Sequence, residues 1–404
     1  MSNENIDTGA AEEQHAACGT KQENKKAVTW LALGHGVVDC YGGFINPILP
    51  FIVANIGITL AVATCALSAA QVFSSIMQPV FGFLADKWSK RFFIFWGVII
   101  ASVFLSLTGI VQNVYQLALC LILGGIGSGF YHPQATGLIP RYSGEFNSRD
   151  MSFFIAAGTI GFSFGPAVSS FITGTFGLHR LPFAAIFGII FALMVFVCVP
   201  KVKACEFVRN KNSFKKTLSD ILGNKTMRLL IMVSVLKSLT TSSFSVLMPF
   251  YWKNHGYTAY QIGIAMFLFL TVGAIGAYLS TKFEKRLGYK KVFVFSLAVP
   301  FLLTLLFVYL VGHAPVVSFV VFILIGFIAM LSVSINMVLA QSVMPQYKSM
   351  ISGFIGGFSW GIIGVLFPII GFTAEKIGIP YTLLIISFIP FVLAYFVNYL
   401  PDKE

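Results

Sequence analysis

The sequence predicts an all-α membrane protein whose twelve transmembrane helices form two pseudo-symmetric six-helix halves. Three observations predict it. The 404 residues are 57% hydrophobic and 10% charged, with a mean hydropathy of +0.84, whereas soluble domains carry roughly 25% charged residues. Twelve apolar runs reach the roughly 20 residues that the hydrocarbon core of a bilayer demands. They are unbroken, which excludes the alternating strands of a transmembrane barrel. Of the 27 Lys and Arg, 23 fall in tails and loops on one side of these runs, three (Arg180, Lys253, Lys376) on the other, and one, Lys237, inside a run. Basic residues accumulate in cytosolic loops, so both termini are expected in the cytosol. The net charge of +12 then reads as topology and attraction to anionic lipid, and not as a nucleic-acid surface.

Taken in order, residues 1–27 are polar and have no apolar core or small-residue cleavage site; they read as a disordered cytosolic tail, not a signal peptide. A first half at 28–200 holds spans at 28–53, 61–84, 92–111, 114–139, 151–176 and 181–199. Residues 201–228 read as a basic cytosolic linker. The second half at 229–400 holds spans at 229–251, 259–280, 292–311, 316–343, 350–374 and 380–400, and 401–404 form a short cytosolic tail. Two halves of nearly equal length joined by a basic linker are the plan of transporters built from parallel repeats. The six cysteines show no CxxC or Cys/His metal spacing, so free thiols and no metal site are expected.

Between spans 2 and 3 the chain reads GFLADKWSKR, with Gly82, Asp86, Lys87, Lys90 and Arg91. This resembles the major facilitator loop signature, G-x-L-a-D-r-x-G-r-k, with Ser89 where glycine is usual. Gly82 permits close helix contact, and a carboxylate at Asp86 suits a helix N-terminus; in the family that helix is span 11, and the contact gates the cytosolic side. Span 5 carries GTIGFSFGPAVSS, with Gly158, Gly161, Gly165 and Pro166. It is similar to the GxxxGP signature of antiporters in this superfamily, although small residues four apart also serve plain helix packing.

Asp39 is the one acidic residue inside the predicted spans, and an ionisable group there costs at least ~2.5–3.5 kcal/mol unless it faces water or a partner. At 100° per residue His35, Asp39 and Asn46 share one face of span 1. His35, His132 in span 4 and Lys237 in span 7 lie at a common depth, roughly 13 Å from the cytosolic ends. Thr241 continues the face of Lys237, and span 10 offers Asn336. Each also has a plain structural use. A neutral histidine can pack in a bundle, Lys237 can snorkel to the interface, Asn336 can bond a neighbouring helix, and the 42 phenylalanines are lipid-facing surface and core filler.

GHGVVD in span 1, GFYHPQATGLIPRYSG in span 4, GTIGFSFGP in span 5 and SGFIGGFSWGIIGVLFPIIG in span 11 together resemble the fosmidomycin resistance family of major facilitator drug exporters. The resemblance implies a bacterial cytoplasmic-membrane protein, a monomer without cofactors, that exports a small polar or anionic compound by proton antiport. Asp39 and His35 are expected to couple protons, and His132, Lys237, Asn46, Asn336 and Thr241 to face substrate. A proton-coupled importer or uniporter of a small organic anion or metabolite is the alternative. No nucleophile, paired acids or metal cluster supports an enzyme.

Overall fold

The computed structural model describes residues 24–87, 90–143, 146–200, 214–347, 351, 355, 357 and 359–400. Among these, eleven helices are long and apolar enough to cross a membrane. The 28-residue helix Leu60–Lys87 supplies span 2 and completes the twelve. Span 1 is Lys25–Ile56, span 3 Arg91–Ile110, span 4 Val114–Tyr142, span 5 Asn147–Phe176 and span 6 Leu178–Cys198. In the second half span 7 is Lys225–Asn254, span 8 Ala259–Leu287, span 9 Tyr289–Leu310, span 10 Pro315–Val343, span 11 Ser359–Ile377 and span 12 Ile379–Tyr399. Several helices outrun the apolar windows at their polar ends, because caps and not hydropathy terminate them. Asn24 accepts from the Ala27 amide at the start of span 1, and Asn224 from the Met227 amide at the start of span 7. Each satisfies one of the donors that a helix start leaves orphaned.

The repeat is visible in such details. Both halves begin with the same Asn-Lys cap. The equivalent spans 5 and 11 end on glycines of nearly identical backbone, Gly177 at φ 87° and Gly378 at φ 89°, a region that side chains rarely tolerate. Space around Gly378 is open, so the cost of a Cβ there is torsional alone. Gly378→Ala is expected to lose about 1–3 kcal/mol of stability, read as a lower melting temperature in detergent.

Helix partners repeat as well. Span 1 packs on 5 as 7 does on 11; spans 2, 3 and 4 interlock as 8, 9 and 10 do; span 3 meets 6 as 9 meets 12. Across the halves, span 2 packs on span 11 and span 5 on span 8. Two spans are interrupted. Span 1 divides into Lys25–Gly43 and Ile45–Ile56 at Phe44, where Pro47 and Pro50 withhold two backbone donors. Span 10 divides into Pro315–Met330 and Val333–Val343.

The cores show which side is shut. On the side away from the chain ends, one apolar cluster unites both halves, from Ile48 and Leu49 of span 1 through Phe244 and Trp252 of span 7 to Phe322 of span 10 and Phe367 of span 11. On the side of Asn24 and Leu400 the cores are separate. One, with Leu31, Tyr131 and Ile139, belongs to the first half; the other, with Leu230, Phe293 and Leu339, belongs to the second. Among the described residues the apolar packing that joins the halves thus lies on the far side.

Part of the interval read as linker is helical. Phe214–Gly223 forms a short helix whose Asp220 accepts a 2.9 Å hydrogen bond from the Tyr347 hydroxyl; its Ile221 is buried in the core of the second half. A short, mostly polar helix leaves no apolar run for hydropathy to detect. The tail before residue 24, residues 201–213 and residues 401–404 lie outside the described residues.

Candidate functional site

Span 1 is glycine-rich around Asp39, and span 5 fits into it. A Cβ on Gly161 would collide with the Gly36 carbonyl, one on Gly165 with the Cys40 carbonyl, and one on Gly36 would sit 2.9 Å from the Ala157 carbonyl. Small residues let the two backbones touch, and Ser169 fastens them by donating to the Phe44 carbonyl at 3.0 Å. Gly158 has a more particular task. Its missing Cβ would lie 2.6 Å from His35 Nε2 and 2.7 Å from Asp39 Oδ2, so the span 5 signature begins with the hollow that seats this pair.

Helical spacing of four puts His35 Nε2 3.2 Å from Asp39 Oδ2. From span 4, His132 Nε2 reaches Asp39 Oδ1 at 2.9 Å. The carboxylate thus holds one imidazole on each oxygen. The far nitrogens are fixed by backbone: His35 Nδ1 lies 2.8 Å from the Phe154 carbonyl, and His132 Nδ1 lies 2.8 Å from the Ser128 carbonyl. Aromatic packing holds the rings in plane, with His35 stacked on Phe154 at 4.1 Å and edge-on to His132 at 4.8 Å. Tyr131, wedged against Gly34, donates to the Leu31 carbonyl at 2.5 Å.

This geometry counts protons. A carbonyl oxygen only accepts, so both Nδ1 atoms carry hydrogen, and each neutral imidazole turns a lone pair toward Asp39. Each Nε2 to oxygen approach becomes a hydrogen bond only when a proton occupies it. With neither occupied the triad bears net charge −1, with one it is neutral, and with both it is +1. The three groups can therefore store up to two protons in a setting where unpaired charge is expensive. Two imidazoles and a carboxylate with ligand atoms within 4.8 Å of one another are also a donor set for a divalent metal. Each carboxylate oxygen, however, is given to a different ring, the arrangement of a proton bridge. The store is reachable: the Asp39 and His132 side chains are 22% and 30% exposed, against 10% for His35.

The other residues singled out from sequence fall apart from the triad. Lys237 is half-buried, without a hydrogen-bond or ion-pair partner among the described residues. Thr241 is buried and returns its hydroxyl to the Lys237 carbonyl at 3.2 Å. Asn336 is 2% exposed and donates to the Leu230 carbonyl at 3.1 Å, so its amide nitrogen is spent as a strut between spans 10 and 7. Asn46 is half-buried beyond the interruption at Phe44, so its alignment with Asp39 runs through a broken helix. In the loop signature, Arg91 stacks on Phe196 of its own half at 4.1 Å. The side chains of Gly82, Asp86, Lys87 and Lys90 lie outside the described residues. Sequence reasoning missed Tyr131 and the two carbonyls that fix the imidazoles; the spacing of Ser128 and His132, four apart on a helix, was the available signal.

Two pseudo-symmetric six-helix halves packed against each other across the membrane-spanning bundle are the architecture of a membrane transporter. It is not an enzyme. Residues 31–368 match the model of the Major Facilitator Superfamily, and the chain belongs to that family. It is 25% identical over 381 residues to the fosmidomycin resistance protein of Escherichia coli (strain K12), covering 93% of this chain and 92% of that protein. It is 28% identical over 334 residues to the quinolone resistance protein NorA of Staphylococcus aureus (strain MSSA476), covering 79% and 80%. Among solved structures, a mutant of the nucleoside transporter NupG superposes with a TM-score of 0.76 at 17% identity, covering 93% of this chain and 99% of that one, a likeness of fold.

Proposed function

We propose that the protein is a proton-coupled antiporter that exports a small polar or anionic compound, of the fosmidomycin or drug-efflux kind, by alternating access. On this reading it works as a monomer in the bacterial cytoplasmic membrane with both termini cytosolic. The observation that carries the proposal is the triad of His35, Asp39 and His132, of whose members Asp39 and His132 are partly exposed. The positive-inside distribution supports a cytosolic placement of the chain ends.

Coupling follows from competition. Without its protons the triad presents lone pairs on Asp39 and on His132, the more exposed imidazole, and a hydroxyl or amine of the substrate can donate to them. Protons arriving from outside fill the same lone pairs and release that polar end. Lys237 takes the anionic group, if the substrate has one. The names of the two resistance relatives support efflux, as does the glycine seam between spans 1 and 5. The test is transport in proteoliposomes under an imposed pH gradient, with small phosphonates, organic acids and common drugs as substrates. Antiport predicts substrate movement opposite to protons; movement with the protons would make the protein an importer, and indifference to the gradient a uniporter.

A charged hydrogen bond is worth about 1.5–3 kcal/mol. Lys237→Ala is therefore expected to raise the KM of an anionic substrate roughly ten- to a hundred-fold, and to leave that of a neutral substrate nearly unchanged. Equal effects on both would remove Lys237 from the site.

A further inference from the structure

Glu375 lies near the end of span 11, exposed on the clamped far side. Its carboxylate reaches into the other half and accepts a 2.7 Å hydrogen bond from the backbone amide of Ala61, in the first turn of span 2. Three further approaches prepare this contact. A Cβ on Gly371 would collide with Thr64, one on Gly364 would sit 2.9 Å from Gln71, and one on Gly361 would sit 3.3 Å from Ser75. Steps along span 2 are matched, to within one residue, by steps back along span 11. The two helices thus run antiparallel in close register, and Glu375 on Ala61 is the last rung at the far end.

The chemistry of that rung is specific. The first turn of a helix leaves amides without partners and carries the positive end of the helix dipole. Thr59 turns its hydroxyl toward the Val62 amide at only 3.4 Å, and the Ala61 amide is taken by the opposite half. We infer that Glu375 is a gating residue of the transport cycle: a clasp that holds the far side shut by capping span 2 across the interface, and that must release when the halves rock. The sequence assigns Asp86 the matching task at the other end of the same helix pair. With Glu375, spans 2 and 11 carry one acid for each closed state. The inference rests on the alternating-access reading.

Spin labels on the far-side loops test it. Gln112→Cys and Gly312→Cys, placed in the full-length protein with its native cysteines replaced, mark the two halves, and pulsed dipolar spectroscopy reads their separation at several pH values. A carboxylate at a helix start is worth a factor of about two to five in an equilibrium. Glu375→Ala is expected to raise the ratio of long to short separations by about that factor. Glu375→Gln, which keeps an acceptor and loses the charge, should fall between Glu375→Ala and the native protein. Glu375 is exposed, so neither variant threatens folding. Two exchanging separations that Glu375→Ala leaves unchanged would overturn the clasp. A single separation in all proteins at every pH would overturn alternating access itself.

Discussion

Replacing Asp39 by asparagine is expected to abolish proton-driven transport while leaving the fold intact. The amide has nearly the shape of the carboxylate, and it can accept from one imidazole and donate to the other. One of the 2.9 Å and 3.2 Å approaches of His132 and His35 then persists as a hydrogen bond donated by the amide, and the other becomes one only when its imidazole takes up a proton. The variant behaves as a triad with one proton permanently installed. Its melting temperature should stay close to that of the native protein, because its hydrogen bonding equals that of the native triad holding one proton. In proteoliposomes, gradient-driven flux should fall to the level of protein-free vesicles. Substrate accumulation that follows the gradient as well as in the native protein would remove Asp39 from the coupling mechanism.

Gly161→Ala is the second large effect, and it acts through backbone alone. Its new methyl would meet the Gly36 carbonyl, which cannot rotate away as a flexible side chain could. Spans 1 and 5 would have to separate, and overpacking of this sort typically costs ~1–3 kcal/mol. The functional loss should exceed what that figure conveys. Separation widens the hollow at Gly158 that seats His35 and Asp39, and it lengthens the bond from His35 to the Phe154 carbonyl. Reduced melting temperature together with a weakened response of flux to the pH gradient is the expected pair of readings. A variant as stable and as tightly coupled as the native protein would show that the seam is slack.

The sequence carried the spans and their grouping because a bilayer imposes length and hydropathy directly. It did not carry the break in span 10, where Leu331 and Ser332 include no proline or glycine. Nor did it carry the linker helix, whose partner Tyr347 lies 127 residues from Asp220. In the site, the pairing of His35 with Asp39 followed from a spacing of four on a helix, and His132 from its matching depth. Asn336 shows the limit of such reasoning: a polar residue in a span is needed equally by a ligand and by a neighbouring carbonyl. Only the position of Leu230 decides. The span 5 glycines were recognisable as a motif, but what they fit against, a second glycine-rich stretch in span 1, depends on a parallel register, Gly36 beside Gly161 and Cys40 beside Gly165, that neither segment encodes alone.

The interruption of span 1 at Phe44 gives that helix two allegiances. Its first segment, with His35 and Asp39, packs against spans 4 and 5 of its own half, whereas its second segment packs against span 5 and also against spans 7 and 8 of the other half. Any rocking of the halves must bend the chain at this joint, five residues past Asp39 and roughly 7.5 Å along the helix. On the proposed alternating-access reading, span 1 is a crank whose bearing adjoins the triad. On that reading, charge on the triad is felt at the pivot without a relay through the rest of the bundle, and opening of the far side pulls on the same turn of helix that holds the protons.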